Sequence, residues 1–252
     1  MDYSHLLSEL LEDWQAGLKT HKTRCSDLLE TFTKLRGQYL LGRRKEGHGF
    51  NQLDYFYIGE KEHSGILADL LNPWGTHGHE TLFLQAFLNL IKIPGICESE
   101  DWEVTPEIGR IDILLKRRRP HSVIVMENKS NNARDQEHQL YRYWYQEIYW
   151  PMRNSRNPDY KDKETYLLPE VSQRYKVIYL ATADWKRPVD LSLTKPDWDD
   201  LTSFPDIMPI GYEVWIFKDF IRSWLEACLP AIDLQNSRLR GFIQSYIDHW
   251  DK

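Results

Sequence analysis

VIVMENKSNNARDQEHQLYRYW, residues 123–144, opens as an apolar run and turns abruptly polar. Val123, Ile124, Val125 and Met126 read as a buried strand, because an unbroken apolar run suits a strand covered on both faces. The run delivers an acid, Glu127, and a lysine, Lys129, at its very end. Side chains alternate along a strand, so these two project from one face. Upstream, GRIDILL (109–115) reads as a second strand, joined to the first through KRRRP (116–120) as a basic hairpin tip. Neighbouring antiparallel strands lie about 5 Å apart, which brings Asp112 within reach of Glu127. Two adjacent carboxylates repel unless something positive lies between them. Mg²⁺ is the natural candidate, since it accepts one or two carboxylates and keeps waters for chemistry. Lys129 would sit over the same spot as a point charge, orienting a water or stabilising a pentacovalent phosphate. The plainer alternative is a solvated hairpin with an exposed ion pair, worth ~0–1 kcal/mol. Three features weigh against it. The triplet ends an aliphatic strand, Asp112 is flanked by Ile111 and Ile113, and a polar helix follows at once.

The rest of the chain sets bounds on this reading. At 252 residues it can bury a sizeable core. Hydrophobic residues at 41% and charged residues at 28% are ordinary for a globular protein. Ten Trp read first as core and surface plugs. A net charge of −6 excludes global attraction to nucleic acid or anionic membrane, so any phosphate contact must be local. Cys25, Cys97 and Cys228 are far apart, which favours reduced thiols in a cytoplasmic protein. MDYSHLLSELLEDW (1–14) carries acids where a signal peptide needs basic residues. No stretch approaches about 20 uninterrupted apolar residues, so no membrane helix and no membrane partner are expected.

Apolar spacing predicts one broken or two amphipathic helices over 4–41, a linker over 42–52, and helices over 60–71 and 82–93. Strands are expected at 100–106, 109–115, 122–127 and 175–181, with a shorter one near Ile210. A helix is expected over 132–150, with Gln136, Gln139 and Tyr143 along one face. Residues 151–173 read as a long loop, and helices over 217–250 close the chain. The order predicts a mixed α/β domain.

Taken together, GRIDILL, VIVMENK and ARDQEHQLYRYW resemble the PD-(D/E)XK nuclease superfamily. EKEHSGILADLLNPWGTHGHETLFLQAFL (60–88) is similar to the first helix of one branch, VIYLATADWKRP (177–188) to its next strand, and GYEVWIFKDFIRSWLEACL (211–229) to its closing segment. The resemblance implies a restriction-endonuclease-like αβββαβ core, a mixed sheet flanked by helices, with extra N- and C-terminal helices. It divides the chain into a helical segment, 1–45, and a nuclease-like domain, 46–252. It implies a Mg²⁺-dependent deoxyribonuclease, with Mn²⁺ as a substitute and DNA favoured over RNA. Asp112, Glu127 and the Asn128 carbonyl would bind metal, Lys129 would be the catalytic lysine, and Gln136 and Gln139 would orient the lysine, the metal waters or a phosphate. The acid of the first helix would be Glu60, with Glu62 the neighbouring alternative. A defence role, with a regulatory protein partner or a second copy, is the biological expectation. A silent binding or regulatory module on the same fold is the competing one.

Several lesser features have bland and functional readings. Arg117, Arg118 and Arg119 suit either a phosphate grip beside the active site or a solvated tip. His63 is expected to line the cleft and Ser64 to support its helix, since no third residue completes a hydrolase triad. His77, His79 and Cys97 lack the spacing of a zinc site, and a turn is expected there.

Overall fold

The computed structural model of the chain describes residues 4–45, 51–93, 102–152, 172–198, 201 and 203–251. Two compact units result, Met1–Asn51 and Gln52–Lys252. In the first, α1 (Ser4–Lys45) is one helix of 42 residues, without the break expected near Gly17. A single interior glycine costs only about 1 kcal/mol, which a helix of this length absorbs. Leu28, Leu29, Phe32 and Leu35 of α1 are exposed.

The second unit is built on a five-stranded sheet in the order β1-β2-β3-β4-β5. These strands are β1 (Trp102–Ile108), β2 (Ile111–Arg117), β3 (Ser122–Lys129), β4 (Tyr175–Ala181) and β5 (Glu213–Ile216). The first three pair antiparallel, while β3, β4 and β5 pair parallel. The sheet is therefore mixed, and β3 stands at its centre with all eight residues buried. That burial is why the run Val123–Met126 is apolar on both sides.

Alternation along the strands separates two cores. Ile113, Leu115, Ile124, Met126, Ile178 and Leu180 face α2 (Glu60–Leu71), α3 (Leu82–Leu90), α5 (Phe217–Cys228) and α6 (Ser237–Trp250). Leu114, Val123, Val125, Val177 and Tyr179 face α4 (Gln139–Tyr143), which runs on as a π-helix through Trp144–Tyr149. The core expected from the resemblance is present, with β5 added at the sheet edge. The short strand expected near Ile210 forms instead at Glu213–Ile216, in register with Ile178–Ala181.

A second difference lies before α4. The helix expected from residue 132 begins only at Gln139. Asn132 and His138 both take left-handed backbone, at φ 56° and 57°. The His138 ring bonds Thr194, and the His138 N–H donates to the Leu191 carbonyl at 2.9 Å. These tertiary bonds hold 132–138 open against its helical periodicity. The start of the first strand at 100–101, Cys97, and most of the expected loop, at 153–171, lie outside the described residues. Among the described residues, no helix is long and apolar enough to cross a membrane.

Candidate active site

The hydrogen-bonded register of β2 and β3 runs to Ile113↔Met126. One step further, Asp112 and Glu127 come into line at the open end of the hairpin, opposite its KRRRP turn. There a side chain takes over from the ladder, and Asn128 N–H donates to Asp112 Oδ2 at 2.6 Å. Burial and the nearby Glu127 charge push the Asp112 carboxyl up to about 8, against the pull of that hydrogen bond. A cation bound beside such an acid would favour its ionised form.

Glu127 and Lys129 share the α4 face of β3, as alternation requires. Lys129 Nζ lies 2.6 Å from Glu127 Oε1 and 3.5 Å from Asp135 Oδ1, and its side chain is only 4% exposed. Burial is the largest single effect and penalises the ammonium, yet the charge and hydrogen bond of Glu127 together with the Asp135 and Asp112 charges outweigh it and hold Lys129 above the ordinary lysine value. For Glu127 burial is the larger effect and raises its carboxyl, opposed by Lys129 and by Tyr143. With Nζ in contact, the ionised pair is the state this geometry favours.

Tyr143 braces the acid from α4. Its hydroxyl lies 3.1 Å from Glu127 Oε2 and also reaches the Arg110 carbonyl, so one proton serves two acceptors. Gln139 Nε2 donates to the same hydroxyl at 2.7 Å. Gln139 thus acts on the site through Tyr143. Tyr179, from β4, donates to Asp135 Oδ1 at 2.9 Å, and Val189 N–H donates to Asp135 Oδ2 at 2.9 Å.

The other sheet face fixes α2 against the same strand tip. Asn128 Nδ2 donates to the Glu60 carbonyl at 2.8 Å and to Ser64 Oγ at 2.9 Å. Glu62 is committed elsewhere, accepting from Gly59 N–H at 2.9 Å in the first turn of α2. Glu60 Oε1 is buried with no hydrogen-bond partner, and the Glu60 charge reaches the Tyr179 hydroxyl. Among the described residues, no three His, Cys, Asp or Glu side chains form a ready-made metal cage. Glu127 faces Lys129 here. The oxygens of Asp112, Glu127 and Glu60 are nonetheless the hard donors that a Mg²⁺-type ion takes, and the orphaned Glu60 oxygen fits such a ligand.

Several expected features fall elsewhere. Gln136 precedes α4 and is exposed; its N–H donates to Gln139 Oε1 at 3.3 Å, and its own side-chain oxygen accepts from Arg142. It does not share a helix face with Gln139. Arg117 is buried, bonds Ser122 Oγ at 3.0 Å, and lies over the Trp102 ring at 5.1 Å. The KRRRP tip stands at the start of β3, roughly 23 Å of strand from Lys129, so it does not flank the site. His63 does not line the cleft. It is buried against Trp250 and Phe217 with Nδ1 2.9 Å from the Tyr246 hydroxyl. Asp135, Tyr179 and Ser64 were not singled out from sequence as parts of this cluster. Asp135 stands beside Gln136 in the quoted motif, which was its one available signal.

No curated protein and no solved structure matches this chain. The model of the PD-(D/E)XK nuclease superfamily matches residues 50–248, well over half of the sequence, and the chain belongs to that superfamily.

Proposed function

We propose that the protein is a divalent-metal-dependent nuclease that hydrolyses phosphodiester bonds in DNA. Mg²⁺ is the proposed ion, with Mn²⁺ able to replace it, held by Asp112, Glu127, the Asn128 carbonyl and Glu60. When bound, such an ion supplies Lewis-acid charge and a more acidic water. The remaining work falls to the chain. Lys129 presents a fixed positive charge where the phosphate gains negative charge, and Asp135 and Glu127 keep it ionised and aimed. Tyr143 and Gln139 position Glu127, and Asn128 and Ser64 hold α2 so that Glu60 stays at the strand tip.

The observation that carries the reading is a buried ammonium between two carboxylates, beside a third acid that burial and Glu127 push well above the carboxylate range. A purely structural ion pair has no need of Asp112 held so close to Glu127. DNA rather than RNA, a cytoplasmic setting and a defence role under a partner's control extend the same proposal and rest on the family resemblance.

The test is incubation with supercoiled plasmid, linear duplex, single-stranded DNA and RNA, each with Mg²⁺, Mn²⁺ or EDTA, beside Lys129→Ala. Cleavage that needs metal and is lost in the variant supports the proposal and names the substrate. Metal-independent cleavage, or full activity without Lys129, overturns it. If nothing is cut and calorimetry finds no metal bound to the wild type, the fold is a binding module.

A further inference from the structure

A cavity of about 450 Å³ opens beside the site, lined by Arg134, Asp135, Trp185, Lys186, Arg187 and Val189. One of its lining residues is Asp135, the same carboxylate that stands 3.5 Å from Lys129 Nζ. The cavity and the proposed reaction centre are therefore separated by a single side chain. Its walls are tied together. Lys186 Nζ donates to the Ala133 carbonyl at 3.0 Å, Thr182 Oγ1 to Asn132 Oδ1 at 2.5 Å, and Val189 N–H to Asp135. Such a cavity is preformed and needs no rearrangement to be filled.

Its chemistry is cationic and aromatic. Asp135 is the one acid on the lining, and its charge is already engaged by Lys129, Tyr179 and Val189 N–H. Lys186 is used as a strut. Arg187 makes a hydrogen bond only to the neighbouring Lys186 carbonyl, and Arg134 has neither hydrogen bond nor ion pair, among the described residues. Trp185 is 71% exposed. Single exposed aromatics are ordinary, and Trp74 and Trp150 are exposed as well. Neither of those lines this cavity. Among the described residues, Trp185 is the exposed tryptophan that lines a cavity with these arginines beside the proposed reaction centre.

We infer that this cavity is a nucleotide subsite, in which Trp185 stacks an unpaired base while Arg134 and Arg187 hold the neighbouring phosphates of a single strand. The inference rests on the nuclease reading and adds the form of the substrate. An indole can stack only on a base whose face is free, and within a duplex both faces are covered by neighbouring bases. Away from a duplex end, the substrate is therefore a single strand, or a frayed or opened stretch of duplex. A protein of net charge −6 gains nothing from its global field, so these local cations supply the attraction.

The experiment is binding of short fluorescein-labelled oligonucleotides in EDTA, across a salt series, with single-stranded DNA, single-stranded RNA and matched duplex as arms. The contacts lie outside the acid cluster, so wild-type protein binds single strands without metal. Trp185→Ala is expected to weaken single-strand binding by roughly 5- to 100-fold, as loss of one stacked base does. Trp185→Phe keeps most of the affinity, and duplex binding does not change. Arg134→Gln with Arg187→Gln is expected to lower the salt-dependence slope by about 1.4, at about 0.7 per phosphate contact on a single strand. Unchanged affinity in Trp185→Ala, equal losses on single strand and duplex, or no wild-type binding to single strands overturns the subsite. Because binding is read without metal, its failure is separate from that of the nuclease reading, which the cleavage assay decides.

Discussion

The two ends of β3 both hold charge in the interior, and they handle it in opposite ways. At the entry end, the buried Arg117 bonds the Ser122 hydroxyl and lies over the Trp102 ring, two neutral groups that suit a cation. At the exit end, Asp112, Glu127 and Asp135 crowd around Lys129, and one carboxyl is driven to about 8. The entry end is arranged for stability. The exit end tolerates like-charge repulsion that a structural site would shed, and it does so where the backbone ladder gives out. Charge crowded in this way at the end of a central strand is the pattern expected of the proposed reaction centre.

The largest effect that could break this contrast is on cleavage. Lys129→Ala is expected to lower the cleavage rate by about 10²- to 10³-fold, the usual loss for one fixed charge in a closed site. It also leaves Glu127 and Asp135 without their cation, at a cost of about 3 kcal/mol. Rates must therefore be divided by the folded fraction from circular dichroism. If the normalised rate is unchanged, the exit end is structural after all.

The opposite sheet face carries a further buried titratable group, which sharpens the comparison. Burial, with His249 nearby, lowers His63 from 6.5 to about 4. The folded state thus refuses a proton that the unfolded chain accepts between those values. Stability is fully present above about 6.5 and is lost as pH falls towards 4, by about 3 kcal/mol at most. His63→Gln keeps a partner for the Tyr246 hydroxyl and cannot titrate. Urea unfolding from pH 4 to 7 should show the wild type losing more stability than the variant over that window. Parallel curves would mean that His63 is protonated inside the fold.

At the entry end, Arg117→Met should cost about 2 kcal/mol of stability and leave cleavage per folded molecule unchanged. A urea midpoint beside a normalised rate checks both. A loss of rate beyond the loss of fold would put Arg117 in contact with substrate, across the length of the strand.

The fold was legible where local pattern and tertiary outcome agree. GRIDILL and VIVMENK are too apolar for a surface hairpin, and alternation alone puts Glu127 and Lys129 on one face. What sequence could not supply depends on partners far along the chain. Gln136 reads as helical because its spacing is right; only His138 bonded to Thr194, and Asp135 to Tyr179 and Val189, hold that segment open. Arg117 reads, within a basic run, as either a phosphate grip or part of a solvated tip, because its burial comes from the register Trp102↔Arg117. Glu60 and Glu62 look equivalent, since a glycine at the cap hides the reciprocal bond that occupies Glu62.

The smallest expected effect is the one that separates the two ends most cleanly. Asp112→Asn keeps an oxygen to accept from Asn128 N–H and removes a buried acid from beside Glu127. In EDTA the variant should therefore be more stable than the wild type, by about 1 kcal/mol, or about 2–4 °C in thermal midpoint for a unit of this size. Added Mg²⁺ should reverse the order. An ion that binds only the folded wild type stabilises it by about 2.7 kcal/mol at a hundredfold excess over its dissociation constant, while the variant, short of one carboxylate, gains little. Arg117→Met, at the other end of the strand, keeps the Asp112 and Glu127 carboxylates and should gain as much from Mg²⁺ as the wild type. A crossing of the melting curves for Asp112→Asn alone would assign the repulsion at the exit end to metal binding. A variant that is less stable than the wild type in EDTA would mean that the Asp112 carboxyl is a structural acid, and the contrast between the two ends of β3 would fall.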